Sequence, residues 1–426
     1  MGEVSLISIS IPYGNRDIEF EVSPKSLCEV LNPHEVTVPS FEPEMNRALE
    51  HPIGTKQLAD IVHRKSKVTS ACEDISRFAR TDIIIESLIH RLNQAGISYE
   101  NIAIVIALGS HRPMTEEEIR TKIGESVFSR VQVANSEFKD KRYLLDLGLA
   151  PGGVRIWADK RVIQTDVKIG VGSIVPHPAL GYTGGAKIIY PGVVAEETVA
   201  QLHLRSAILN KNVMGQVDNP ARKEMEKWVD TIGLDFIVNA VVTPKNETYA
   251  VVAGHYVKAH RRGVEYAKEI YELKAKKKVD ILVVSSHTAD QDFWQGTKGV
   301  IAGERIVKDG GTLILVTPCD EGVGPYPSFI NYIGSHNYEK LLKKAWEGKI
   351  DREEVLPLSV GALVARAKKR LNLMLVSDGI DEEQARIAGF EYFETLDEAV
   401  QEAFQRSGRN AALSVLPYGG DSYAWI

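Results

Sequence analysis

Between Pro176 and Lys187 the chain reads Pro-His-Pro-Ala-Leu-Gly-Tyr-Thr-Gly-Gly-Ala-Lys, and His203 follows further on. Glycines let backbone N–H groups approach a ligand without side-chain obstruction. Here they flank a histidine and a lysine, so one segment offers an anion cradle, a base and a nucleophilic amine. Gly109-Ser110-His111-Arg112-Pro113 holds another histidine, just beyond an apolar stretch, 102–108, that reads as a buried strand. Ligands of open α/β sheets collect at the carboxyl ends of strands, which makes His111 a candidate base. A ring bonded to loop backbone is the plainer alternative. His177 lies between two prolines, on a fixed backbone with an exposed ring, as a base or as part of a rigid turn. Arg77, in Asp74-Ile75-Ser76-Arg77 ahead of a helix, has the fork that grips a carboxylate or phosphate; a solvent-facing pair with Asp74 is the alternative. In Gln295-Gly296-Thr297-Lys298-Gly299 a lysine at a helix start opposes the dipole. Binding an anion in an interdomain cleft would account for it, as would a plain turn.

Several familiar sites are excluded. A P-loop would need glycine directly before Lys187 and Ser or Thr after it, but Ala186 and Ile188 stand there. No G-x-G-x-x-G follows a strand, so there is no dinucleotide fingerprint. His203 falls within a helical spacing over 196–209, and a lone histidine is weak evidence for a metal. With no H-E-x-x-H, H-x-H or Cys/His cluster, a metal site built from protein ligands alone is not expected.

These residues need elements to hold them. A chain of 426 residues exceeds one typical core, so two domains are expected. The first part mixes strands and helices: a hairpin (6–11 with 16–22), a helix over 82–95, a capping box at Thr115-Glu116-Glu117-Glu118, a strand over 167–172 and a strand pair (237–242 with 249–252). Around 271–278 the composition turns basic, which reads as a helix end plus linker. Beyond it, strands at 280–284, 312–316 and 373–376 alternate with helices near 299–308, 338–346 and 362–371. That is a βαβ series and a parallel, Rossmann-like sheet with helices on both faces. The expected division is 1–272 and 273–410, with a tail, 411–426, returning to the first domain. The net charge of −6, with Lys and Arg dispersed, argues against nucleic acid or an anionic membrane as partner. No apolar run approaches the roughly 20 residues of a membrane span. Cys28, Cys72 and Cys319 form no C-x-x-C, and the N-terminus lacks signal-peptide features, so a reducing cytoplasm is expected.

In order and spacing, over essentially the whole chain, these motifs resemble the lactate racemase family, nickel-dependent LarA-like enzymes. The match includes Pro191-Gly192 and Gln201-Leu202-His203 as well as the stretches above. The resemblance implies two α/β domains with a cofactor cleft between them. It also implies nickel held in a nickel-pincer nucleotide, a pyridinium mononucleotide with a thioamide and a thiocarboxylate, whose carbon and two sulfurs bind the metal in a plane. By the match, Lys187 carries this group through the thioamide and His203 is the nickel ligand. Asp74, Ile75, Ser76, Arg77, Gly184, Gly185, Gln295 and Lys298 contact it, and Arg77, Gln295 and Lys298 also reach the substrate. Three of four metal donors would then come from the cofactor, which explains why ligand spacing shows no site. Soft donors in a plane suit nickel.

His111 and His177 match the two catalytic histidines. The implied activity is an isomerase that interconverts enantiomers of a small 2-hydroxy acid, with lactate first. The C2 hydrogen of such an acid is a poor proton because a carboxylate already stands beside it; leaving as hydride, with the hydroxyl proton taken by one histidine, gives a flat 2-keto acid. Hydride then returns to the other face. Cofactor-making enzymes are implied partners. One departure concerns substrate: the family's lactate enzymes commonly have proline after the arginine, where Phe78-Ala79-Arg80 stands here. Malate, an aromatic lactate or a sugar acid therefore stay open. A carrier that kept the cofactor but lost catalysis would need Lys187 and His203, but not two bases.

Overall fold

Two six-stranded sheets organise the computed structural model, which describes residues 6–77 and 79–426. Phe78, one of the residues bearing on substrate choice, lies outside the described residues. In the first sheet the strands lie in the order Thr248–Gly254, Phe236–Val242, Val167–Ser173, Val68–Glu73, Ile102–Ala107, Gln132–Asn135. All neighbours are parallel except the first pair. Val68–Glu73 and Phe236–Val242 are buried along their whole length, as strands covered on both faces must be. From Val68–Glu73 the chain passes to Ile102–Ala107 on one side and later to Val167–Ser173 on the other. The strand order thus reverses at Val68–Glu73, where a crevice opens at the carboxyl ends. Asp74, His111 and the Pro176–Lys187 segment all follow those ends.

Glu73 ties the crevice together. One carboxylate oxygen accepts from the Ser173 amide (2.6 Å) and hydroxyl (2.8 Å) on the neighbouring strand. The other accepts from the Ala79 amide (3.0 Å) and from Lys122 Nζ (3.3 Å). Lys122 also donates to the carbonyl of Arg77 (2.6 Å). Both charged side chains are buried, so the pair fixes the loop that carries Asp74 and Arg77.

The second sheet runs Glu391–Phe393, Asn372–Val376, Val307–Val316, Val279–Ser285, Leu413–Leu416, Leu27–Val30, parallel throughout. Helix Leu396–Ser407 covers one face and helix Lys298–Gly303 the other, the Rossmann-like arrangement expected. Four details differ from expectation. The hairpin Ile7–Tyr13 with Arg16–Val22 buries Ile11 and Phe20 against Ile281, Val283 and Ile314, and Leu27–Val30 extends the second sheet. Residues 7–30 therefore belong with the C-terminal sheet: an alternating strand can pair with any sheet whose edge is open. The helix expected to reach 308 ends at Gly303, and the β-branched Val307 already begins a strand. The helix expected from 362 starts at Val355, because Pro357 is tolerated in a first turn. Finally, the boundary is not a free linker. After helix Lys258–Tyr271, Glu272–Lys274 pairs in parallel with Tyr423–Trp425. Of the tail, Leu413–Leu416 is built into the second sheet, and only its end reaches the first domain, where Tyr423 Oη donates to Glu272 (2.7 Å) and lies 3.3 Å from Tyr182 Oη. Among the described residues no helix is long and apolar enough to cross a membrane.

Removing the Glu73 carboxylate would strand Lys122 in the interior. Glu73→Ala is expected to lower stability by about 3–5 kcal/mol, the range for a buried pair broken on one side, read as a shift in the urea unfolding midpoint. An unchanged midpoint would show that Glu73 does not hold the strand ends.

Candidate active site

One cavity at the carboxyl ends of the first sheet, roofed by the second domain, is lined by Asp74, Arg77, His111, His177, Gly184, Lys187, His203, Gln295 and Lys298. Asp74 and Lys298, 224 positions apart in sequence, thus share one space. Three expected contacts lie elsewhere. Ile75 and Ser76 face an adjoining pocket with Asp74 and His111. Gly185 lies beneath the loop, where its amide donates to Asn239 Oδ1 (2.8 Å) and a side chain would collide with the Tyr256 carbonyl and His260.

His111 is held on both nitrogens. Nδ1 lies 2.5 Å from Asp74 Oδ2, and Nε2 lies 2.8 Å from Gln295 Nε2. Ser76 Oγ donates to Asp74 Oδ1 (2.6 Å). A carboxylate at Nδ1 places the neutral ring's proton there and leaves Nε2 as acceptor from the Gln295 amide. Burial opposes ionisation of Asp74, but His111, Arg77 and Ser76 outweigh it and hold its carboxyl well below the usual range.

His177 is buried, not exposed as the sequence suggested. Pro176–His177 pairs with Gly181–Tyr182, folding the ring inward under the cavity wall. Its Nδ1 accepts the amides of Ala179 (3.2 Å) and Leu180 (3.3 Å), which puts the proton of the neutral ring on Nε2. Burial, then the charges of Lys187, Lys298 and Arg77, keep His177 far below the ordinary histidine value. The two histidines therefore meet the cavity in opposite states, one accepting and one donating.

Lys187 stands on a short turn, Gly185–Ile188, begun by Gly184 with φ +74°. Burial pushes its amine down to about 7; Arg77 and Arg222 act in the same direction and Asp74 opposes. A substantial neutral fraction at neutral pH makes it a nucleophile. His203 rises into the cavity from helix Glu196–Ile208, with Nδ1 donating to the Val199 carbonyl (2.9 Å), so Nε2 keeps a free lone pair. Burial pushes it down to about 4. From the second domain, Asp292 caps the turn that presents Gln295 (2.7 Å to its amide). Gln295 Oε1 is buried without a partner among the described residues. Lys298 is pushed well below its usual value by burial and by Arg77.

Sequence reasoning missed Glu73, Asn239 and the apolar wall of Trp294, Val360 and Leu363. Asn239 left a signal, a lone amide inside the apolar strand Phe236–Val242. Glu73 left a fainter one, a carboxylate closing an apolar strand. Arg80 is tied to Asp82 (3.1 and 2.9 Å) at the protein surface.

Comparison with known proteins gives the family. Residues 13–215 match the lactate racemase N-terminal domain and residues 274–421 the lactate racemase C-terminal domain. A lactate racemase of Thermoanaerobacterium thermosaccharolyticum is 28% identical, covering 97% of this chain and 98% of its own length. One of Lactiplantibacillus plantarum is 26% identical, covering 97% and 99%. The lactate racemase apoprotein structure from T. thermosaccharolyticum superposes with a TM-score of 0.88 at 27% identity, over 99% of this chain and all of that one. A Thermotoga maritima protein (TM-score 0.70, 21% identity, 92% of this chain and 99% of that one) shares the fold. With both domain matches, near-complete coverage and the same two-domain architecture, the chain belongs to the lactate racemase family.

Proposed function

We propose that the protein is a racemase of a small 2-hydroxy acid, lactate first, and that it works with a nickel-pincer nucleotide made for it by separate cofactor-making enzymes in the cytoplasm. The observation that carries this reading is the meeting, in one cavity, of a depressed amine at Lys187, a free imidazole nitrogen at His203 and two histidines in opposite states.

The residues present fit the group. Among the described residues no three His, Cys, Asp or Glu side chains converge as a metal site, so His203 would be the single protein donor and the cofactor would bring the others. Lys187 would anchor it, and the unpartnered Gln295 Oε1 and the cations of Arg77 and Lys298 would meet its polar edge or the substrate carboxylate. When bound, such a group supplies reversible acceptance of hydride.

The protein's own residues do the rest. Arg77 and Lys298 draw the substrate carboxylate into a site where burial makes each charge expensive to leave unpaired. For one enantiomer, His111 Nε2 takes the hydroxyl proton, and the Asp74 carboxylate steadies the resulting imidazolium. His177, with its proton on Nε2, hydrogen-bonds the ketone oxygen when the opposite enantiomer is formed, and the His111 imidazolium gives its proton back to complete the product hydroxyl. The wall of Trp294, Val360 and Leu363 favours an apolar substituent at C3 over a second carboxylate. Trp294 is fixed there by Tyr326 and Phe329.

Single-enantiomer 2-hydroxy acids incubated with nickel-loaded protein, then read by chiral chromatography, should give a racemic mixture from either lactate enantiomer. No interconversion of any acid in the panel would overturn the reading. His111→Ala should lower turnover by about 10²–10⁴-fold, the usual contribution of a positioned base, with nickel content unchanged. Full activity of this variant would remove His111 from the chemistry.

A further inference from the structure

Three successive carbonyls of the glycine-rich segment are each held by a buried side chain outside every motif described above. Arg222, on helix Pro220–Ile232, donates from Nη1 to the Tyr182 carbonyl (2.7 Å) and from Nη2 to the Gly184 carbonyl (3.0 Å). His260, on helix Lys258–Tyr271, holds the Thr183 carbonyl between them (2.8 Å from Nε2). The Thr183 carbonyl can only accept, so Nε2 carries the proton and donates to it, although Arg222 Nη2 also lies 3.0 Å from that nitrogen, and Nδ1 accepts from Arg261 Nη1 at 3.1 Å. Both side chains are fully buried.

One carboxylate, Glu226, is shared by two guanidinium groups. Glu226 accepts from Arg222 Nε (2.9 Å) and from both terminal nitrogens of Arg261 (2.8 Å each). Burial brings Arg222 down to about 10, which leaves it charged at neutral pH. Burial, with Arg222 and Arg261, keeps His260 neutral. Such an expensive burial of charge calls for a reason beyond packing.

The reason lies in what the held carbonyls do next. The Gly184 carbonyl that Arg222 grips also accepts the amide of Lys187 (3.2 Å). Gly184 and Gly185 are both in the left-handed region, and a side chain at Gly185 would strike His260 and Arg222 themselves. The turn bearing Lys187 is therefore pressed directly onto the clamp.

We infer that Arg222 and His260 are positioning residues: they fix the path of residues 182–185 so that the Lys187 amine points into the cavity in a reactive state. The inference rests on the reading of Lys187 as the anchoring residue, and it adds residues to which no role has been given. Arg222 acts both as a geometric clamp and as a nearby positive charge. The amine is also faced by Arg77, Asp74 and Glu73, and His177, His203 and Lys298 share its cavity.

The test uses the full-length protein without cofactor, so it does not depend on the cofactor being right. Competitive acetylation with acetic anhydride moves one acetyl group onto a neutral amine and releases acetate. Peptide mass spectrometry then gives Lys187 labelling against pH, relative to the exposed Lys340. The wild type should show a midpoint near 7, with labelling rising above it as the amine loses its proton. Arg222→Met should raise that midpoint by about one unit, close to a tenfold loss of labelling at pH 6. Arg222→Lys keeps the charge but not the fork; its midpoint should stay in place while hydrogen exchange at the Lys187 amide quickens. His260→Ala should also quicken exchange, and His260→Gln, which keeps a donor, should restore it. A folded Arg222→Met protein with the wild-type midpoint would overturn the inference. So would wild-type exchange in Arg222→Lys and His260→Ala, which decides the matter if Arg222→Met does not fold. Loss of these effects with a normal Lys187 adduct in loaded protein would refute the clamp alone; an absent adduct with the effects intact would refute only the anchoring role.

Discussion

The structure depends on one electrostatic constraint: positive groups are gathered in one partly buried cavity. Lys187, Lys298 and Arg77 face the same cavity, and each depresses the proton affinity of its neighbours. The fixed negative charges nearby are already engaged, Glu73 by Lys122 and backbone amides, Asp74 by His111 and Ser76. Desolvated charge is tolerated when it is paired or when it can shed its proton. The lysines take the second course, and an anionic ligand would offer the first. A carboxylate substrate and a nucleotide phosphate are the two kinds of anion the proposed chemistry brings.

The fold meets this constraint by division of labour. The first sheet reverses its strand order at Val68–Glu73, and the loops beyond that point supply Asp74, Arg77, His111, His177 and Lys187. A second layer of buried polar groups then fixes those loops: Glu73 with Lys122 on one side, Arg222 with His260 on the other. The second domain contributes a capped turn with Gln295 and Lys298 and an apolar wall, so the site is complete only where the two domains meet. Arg112, beside His111, bridges to Glu321 of the second domain (3.0 Å), an exposed pair that joins the rims of the cleft without adding much stability.

The histidines and the glycine-flanked lysine that face the cavity were legible in the sequence because their types are unusual for their surroundings. A histidine between prolines, a lysine after paired glycines and a histidine just past an apolar strand each break the ordinary pattern of their element. The βαβ order of the second domain was equally plain, since apolar runs and helical spacings alternate there. What stayed hidden depends on partners far apart in the chain. Glu73 bonds Ser173 across 100 positions, and no local pattern announces such a pair. Arg222 and His260 sit on amphipathic helices where a charged residue ordinarily faces water, so burial could not be read from spacing. The N-terminal hairpin was legible as a hairpin, but the sheet it covers was not, because alternation specifies a buried face and not its partner. His177 looked exposed because prolines favour surface turns; the inward fold comes from pairing with Gly181–Tyr182.

The central claim is that Lys187 anchors a metal-bearing group which His203 completes. Peptide mass mapping of active, nickel-containing protein tests it most directly. The account predicts a covalent adduct on the peptide containing Lys187, together with loss of bound nickel in His203→Ala while that adduct persists. Racemase activity from protein whose Lys187 is unmodified would contradict it.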